Sequence, residues 1–345
     1  MGMSFLWKLL HDRNKRLNWP VGVFFIALVI YANYDILNVL MPLRFLSPLE
    51  ERIGSIKKAA NPADFCFAIL GDNKNDKEVF PAIITRINND PDISFVIHTG
   101  DMVSAPRKYF YQDFLKTLKV FLRKPILLVP GNHDVSDQEK NALYEHAFGK
   151  KHYAFQIGDT EFTIVNAQRI AFTAEQNWLR RALKQEKSKN TLVFTHIPLY
   201  DPRGDDYHHS FNGQTANELK EIFSANDVSH VYTGHIHGYW TGKWDNIPYT
   251  ITGGAGARLY GNDPAHSFHH YLKVRIKDGR IREEVIAVNG TFFSKKMNAF
   301  LADVQIEFQK AILLSIVVFF GLWSAWRWTR HGNGPVDESA NRACA

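Results

Sequence analysis

The 345-residue chain is 45% apolar and 22% charged, an ordinary globular balance that excludes wholesale disorder. Its length suits one large α/β domain with attached segments. The net charge of +6 is spread along the chain rather than gathered into a basic stripe with interleaved aromatics, so no nucleic-acid partner is expected.

Residues 1–19 form a basic tail carrying Lys8, Arg13, Lys15 and Arg16. An apolar segment follows from Pro20 to Met41, uninterrupted from Val21 to Ala32 and then diluted by Asn33, Asp35 and Asn38. A membrane span needs roughly 20 residues, so its length fits when the diluted half is counted. A secretory signal peptide is the rival reading; no small-x-small cleavage site follows cleanly, and an uncleaved anchor is expected. Near the other end, Ala311 to Trp326 is short but very apolar, bracketed by Lys310 and Arg327 and flanked by Trp323, Trp326 and Trp328. This suits a second transmembrane helix or one lying on the membrane, followed by a tail over 327–345. The basic residues lean towards both termini in the cytoplasm and the middle of the chain on the extracytoplasmic side.

Between 61 and 296 strand-like and helix-like patterns alternate. Short apolar runs at Phe65–Leu70, Phe95–Ile97, Ile126–Val129, Leu192–Phe194 and Val231–Tyr232 each end in a turn signal, as buried strands do. Cys66, inside the first run, reads as a small buried hydrophobe, and a bridge to Cys344 is not expected. Val79, Phe80, Ile83, Ile84 and Ile87 share one helical face, and Thr173 with Gln176 predicts a capping box. Tyr153–Val165 and Tyr271–Val288 predict antiparallel pairs about Gly158-Asp159 and Asp278-Gly279, and from them a second, partly antiparallel sheet. The whole predicts an α/β domain with helices covering sheets.

The chemistry lies where those runs stop. They end in Gly71-Asp72, Gly100-Asp101, Gly131-Asn132-His133-Asp134, Thr195-His196 and Gly234-His235-Ile236-His237. Ligands of open α/β sheets bind beyond the carboxyl ends of the strands, and glycine before a ligand permits a close backbone approach. A lone Gly-Asp is usually a turn and a lone strand histidine usually a core residue. Five in succession are a metal site.

In that order of blocks the chain resembles the calcineurin-like metallophosphoesterases over roughly two thirds of its length, from Asp64 to Val288. The resemblance implies a two-sheet β-sandwich flanked by α-helices over 61–296, with the apolar segments outside it. It implies two divalent cations, Mn, Fe or Zn, with Asp101 bridging them. Asn132, His196 and His235 would complete one ligand set, and Asp72 and His237 would hold the other. It makes His133 the group that stabilises the transition state or protonates the leaving oxygen, with Asp134 orienting its ring.

One block departs from the family pattern. Its usual Asp-x-His reads Asp72-Asn73-Lys74 here, which makes the first cation conditional. Lys74 either turns away and leaves water in its place (purple acid phosphatases also lack this histidine), coordinates in neutral form, or contacts the substrate phosphate. Arg203, His208 and His209, in the polar stretch after His196, are further candidate substrate contacts, although a solvated loop needs no function. The Gly253-Gly254-Ala255-Gly256-Ala257 run lacks the lysine of a phosphate-binding loop and reads as a close turn. The expected function is hydrolysis of a phosphomonoester or phosphodiester on a small molecule, a membrane lipid or an envelope head group. The alternative is a non-hydrolytic, membrane-anchored module that binds a phosphate ligand.

Overall fold

The computed structural model describes residues 46–288, apart from 136–140, 172, 185–187 and 205–206. Both apolar segments lie outside the described residues, and among the described residues no helix is long and apolar enough to cross a membrane.

The chain enters through helix α1 (Leu49–Ala59) and then builds a parallel unit. This comprises β1 (Asp64–Leu70), α2 (Val79–Asn89), β2 (Ile93–His98), α3 (Lys108–Phe121) and β3 (Ile126–Leu128). Helix α4 (Asn141–Phe148) leads to the hairpin β4 (Tyr153–Ile157) and β5 (Thr160–Ile164). Then come α5 (Thr173–Ala182), β6 (Asn190–Phe194), α6 (Gly213–Ala225) and β7 (His230–Thr233). Two hairpins close the domain: β8 (Tyr239–Trp244) with β9 (Ile247–Thr252), and β10 (His270–Lys277) with β11 (Arg280–Ala287).

The strands form a five-stranded sheet, ordered β11-β10-β1-β2-β3, and a six-stranded sheet, ordered β4-β5-β6-β7-β9-β8. Both predicted hairpins are present, but they do not make a second sheet together. The β10–β11 pair lies antiparallel to β1 in the first sheet, while β4 and β5 open the second. The β8–β9 hairpin was not foreseen, because its turn at Asp245 interrupts a stretch of tryptophans, glycine and lysine without a clean period-two pattern.

Burial on both faces explains the unbroken apolar runs. Along β1, the large side chains of Phe65, Phe67 and Ile69 point between the sheets, while Ala68 and Leu70 face α2 and α3. The inter-sheet layer is largely aromatic. Phe67 stacks on Phe95 with ring centroids 5.1 Å apart, and a row runs from Phe155 through Phe162 and Phe194 to Tyr232. A third cluster, around Leu219, Ile222 and Phe223 of α6, covers the outer face of the second sheet. Thr173 is the first residue of α5, and the Gln176 amide donates to Glu218 of α6 at 2.7 Å. The start of α2 is capped by Asp76, whose Oδ1 accepts from the amides of Glu78, Val79 and Phe80.

The inter-sheet layer sets the spacing between the two strand sets that carry the site. Replacing Phe67, which has no exposed surface, by alanine should cost about 3–5 kcal/mol of unfolding free energy, read by urea denaturation.

Candidate metal centre

The site stands where β1, β2 and β3 of one sheet and β6 and β7 of the other reach their carboxyl ends. The close approach requires glycine. A Cβ on Gly131 would lie 2.2 Å from the Asp101 amide nitrogen, and one on Gly234 would lie 2.4 Å from the Asp72 carboxylate. The ligand-bearing backbone is itself strained. Asp72, Lys74, Asn75, Asp101 and His235 all have positive φ, between 42° and 68°. Each such residue costs about 1–2 kcal/mol, and such conformations gather where function over-determines the geometry.

The side chains fall into two groups that share Asp101. Ligand atoms of Asp101, His196 and His235 lie within 4.8 Å of one another, and so do those of Asp72, Asp101 and His237. Asn132 joins the first group, its Oδ1 standing 3.0 Å from both His196 Nε2 and His235 Nδ1. Two histidines are held in one tautomer by backbone carbonyls: His196 donates from Nδ1 to Thr99 O at 2.9 Å, and His237 from Nδ1 to Arg258 O at 2.7 Å. Each therefore presents an Nε2 lone pair inward, the arrangement of a ligating histidine. His237 Nε2 is buried without a hydrogen-bond partner and lies 3.6 Å from Asp72 Oδ1.

The electrostatics call for cations. Burial, then the neighbouring Asp101 charge, push the Asp72 carboxyl well up. Burial also opposes ionisation of Asp101, but His196, Lys74 and the His133 amide hold it below the usual carboxylate range. Burial pushes His196 and His235 down and His237 to about 4, so all three imidazoles stay neutral. Two buried carboxylates, neutral imidazoles with inward lone pairs and an orphaned nitrogen together fit divalent cations.

Lys74 does not turn away. Its Nζ lies 3.3 Å from Asp101 Oδ2 and 3.2 Å from His133 Nε2, so the reading with a water in its place is set aside. The loop beyond β2 braces this position: Ser104 Oγ donates to Lys74 O, and the Ser104 amide donates to Asn75 Oδ1. Asn73 faces the opposite side, with its Oδ1 2.8 Å from His98 Nε2.

Asp134 does not orient His133. The His133 ring donates from Nδ1 to Ser104 O at 2.9 Å, which turns Nε2 towards Lys74 and the cluster. The Asp134 carboxylate is fully buried and accepts from the amides of Gly131 and Val103, tying two ligand loops together. A backbone carbonyl leaves no trace in residue identity, so the role passed in the sequence to the adjacent acid.

Arg203 is likewise reassigned. Its Nε and Nη2 are taken by Asp201 at 2.9 and 2.7 Å, so this fork is not open to a phosphate. The guanidinium instead lies 4.5 Å over the Tyr207 ring and 5.2 Å from that of Tyr260. His209 reaches the centre's edge, 5.5 Å from the His235 ring. His208 is exposed with φ of 52°, and no contact of it with the cluster is seen among the described residues. Tyr260 was missed altogether; it stacks on His237 at 4.3 Å. The glycine run packs beneath the centre, with the Ala257 amide donating to Asp72 O.

Residues 66–239 match the model of the calcineurin-like phosphoesterase family, and the chain belongs to that family. Membership implies divalent metal ions, and its relatives include phosphatases and phosphodiesterases. The chain is 28% identical over 204 residues to human serine/threonine-protein phosphatase CPPED1, covering 52% of this chain and 64% of that protein. It is 27% identical over 192 residues to a probable glycerophosphodiester phosphodiesterase, GpdQ, of Arcobacter nitrofigilis, covering 52% of this chain and 70% of that one. The chain thus spans less than two thirds of the length of CPPED1. A purple acid phosphatase from yellow lupin seeds shares the fold, with a TM-score of 0.54 and 14% identity over 66% of this chain and 52% of that one.

The two ligand groups predict separable metal loss. His237→Ala should lower bound metal by one equivalent and leave the group around His196, whereas Asp101→Asn should disturb both. Elemental analysis after dialysis against Mn reads this directly. Equal retention in both variants would sink the two-group assignment.

Proposed function

We propose that the chain is a metal-dependent phosphoesterase that hydrolyses a phosphomonoester or phosphodiester. One observation carries the reading: His133 Nε2 and Lys74 Nζ, 3.2 Å apart, stand together at the edge of a cluster of metal-ligand side chains. Asp101, Asn132, His196 and His235 would hold one cation, and Asp72, Asp101 and His237 the other; Mn, Fe or Zn suits such donors. When bound, such ions polarise phosphoryl oxygens and make water a nucleophile near neutral pH.

The chain's own groups do the rest. Lys74 donates an N–H to a non-bridging phosphoryl oxygen and spreads positive charge over the transition state. His133, its ring fixed through Nδ1 by Ser104 O, passes a proton from Nε2 to the departing oxygen. Asp101 faces Lys74 through Oδ2 and keeps the ammonium aimed at the site. The Arg203 guanidinium positions Tyr207 and Tyr260 rather than the phosphate.

The apolar segments over 20–41 and 311–326 support a membrane-anchored protein with this site on the extracytoplasmic side. Anchoring keeps dissolved phosphoesters, and lipid or envelope head groups that project far enough outward, within range. The second reading, a phosphate-binding module without hydrolysis, draws on Lys74 alone and leaves the proton-bearing position of His133 without use.

His133→Ala should lower kcat about 10²–10⁴-fold on an alkyl phosphodiester and far less on an aryl one, whose leaving oxygen needs no proton. Equal losses on both, or no turnover by the unaltered chain with any of the three metals while phosphate still binds, would overturn the hydrolytic reading. Lys74→Met should raise KM and lower kcat with metal content unchanged. Lys74→His should tighten metal at the Asp72 group if the lysine only leaves that group short of a ligand. An unchanged metal affinity assigns Lys74 to the substrate.

A further inference from the structure

Four large apolar side chains are well exposed among the described residues, and two of them are consecutive: Val120 at 71% and Phe121 at 40%, in the last turn of α3. Contiguous exposed apolar surface, unlike singly scattered residues, marks contact sites when it forms a large enough patch. Basic side chains surround the pair. Lys116, one turn before Val120 on the helix, Lys119 just before it, and Arg123, two residues past the helix end, are all exposed. Of the acidic groups on neighbouring elements, Asp90 is engaged by Lys273 at 2.7 Å and Asp113 by Lys77.

Beside the pair runs a groove of about 310 Å³ between α1 and α3, lined by Ser55, Leu115, Leu118, Lys119 and Leu122. Leu46, the first described residue, lies in its wall. Only residues 42–45 separate Leu46 from Met41, the end of the first apolar segment, and at full extension that step reaches about 18 Å. Met41 therefore lies within that reach of Leu46 in the groove wall. On that side of α1, Lys58 stands one turn beyond Ser55 and Glu51 one turn before it.

We propose that this face, centred on Val120 and Phe121 with Lys116, Lys119 and Arg123 beside them, docks on an anionic lipid surface. Phenylalanine and valine enter the head-group boundary, and the cations meet lipid phosphates. The proposal rests on the anchored reading of 20–41. Its orientation follows from topology. Helix α3 leaves the loop that carries Asp101 and runs back to the edge where β3 begins, so Phe121 lies at the opposite end of the sheet from the metal centre.

The test uses the full chain with Cys344→Ser, Cys66 being buried, in vesicles of phosphatidylcholine with or without phosphatidylglycerol, both with brominated acyl chains. A bimane label is placed at Val120→Cys, at Phe121→Cys, and as control at Asn262→Cys, an exposed position two residues after Tyr260. Labels at 120 and 121 should lose fluorescence to the brominated lipid, more so with phosphatidylglycerol, while the label at 262 does not. Chain that floats with the vesicles but shows no greater loss at 120 and 121 than at 262 overturns the docking and leaves anchoring intact. Chain that stays in the supernatant overturns both. Loss that appears only when a second labelled copy is added assigns the face to a dimer and likewise overturns the proposal.

Discussion

Asp72 and Asp101 are buried beside one another, and two carboxylates so placed ionise together only when positive charge lies between or around them. Much of the local structure answers that constraint. Glycines let the backbones crowd in, left-handed residues aim the ligands, and carbonyls of Thr99 and Arg258 fix two imidazoles, kept neutral by burial, with their lone pairs inward. The His235 amide donates to Asp72 and the His133 amide to Asp101, partial positive charge that offsets repulsion without closing the cluster to a cation. Lys74 brings a full positive charge to within 3.3 Å of an Asp101 oxygen, while burial keeps His196 neutral.

Because the ligands come from two sheets, the centre depends on the layer between them. Phe67, Phe95, Phe162 and Phe194 fill that layer and fix how far the end of β1 stands from the end of β6. Asp134 performs the same service locally, tying Val103 to Gly131. A buried carboxylate that accepts two amides is a brace, and its place next to His133 in the chain says nothing about the ring it would serve.

What could be read from residues alone was whatever depends on identity and order. Each of the five runs that end in Asp72, Asp101, Asn132, His196 and His235 is a strand, and the structure brings those side chains together with His237. What could not be read depends on direction or on the backbone. Lys74 pointed inward because two consecutive left-handed residues, Lys74 and Asn75, turn the chain after Asp72, and no lysine announces its φ. Ser104 escaped notice because it acts through its carbonyl. Arg203 looked free because its partner, Asp201, lies only two residues away and is as polar as any loop residue. Tyr260 carries no motif; only its ring lying against His237 marks it.

The direction of α3 bears on what such an enzyme can reach. Its 14 residues rise about 21 Å from the Asp101 loop to Phe121. Were the far end seated on a bilayer, the catalytic mouth would stand clear of it like a lamp on a short post. Lipids of the same leaflet would then lie under the foot, out of reach unless their head groups project several sugars outward. On the anchored reading proposed above, dissolved phosphoesters or groups on a facing surface would be what the mouth can reach.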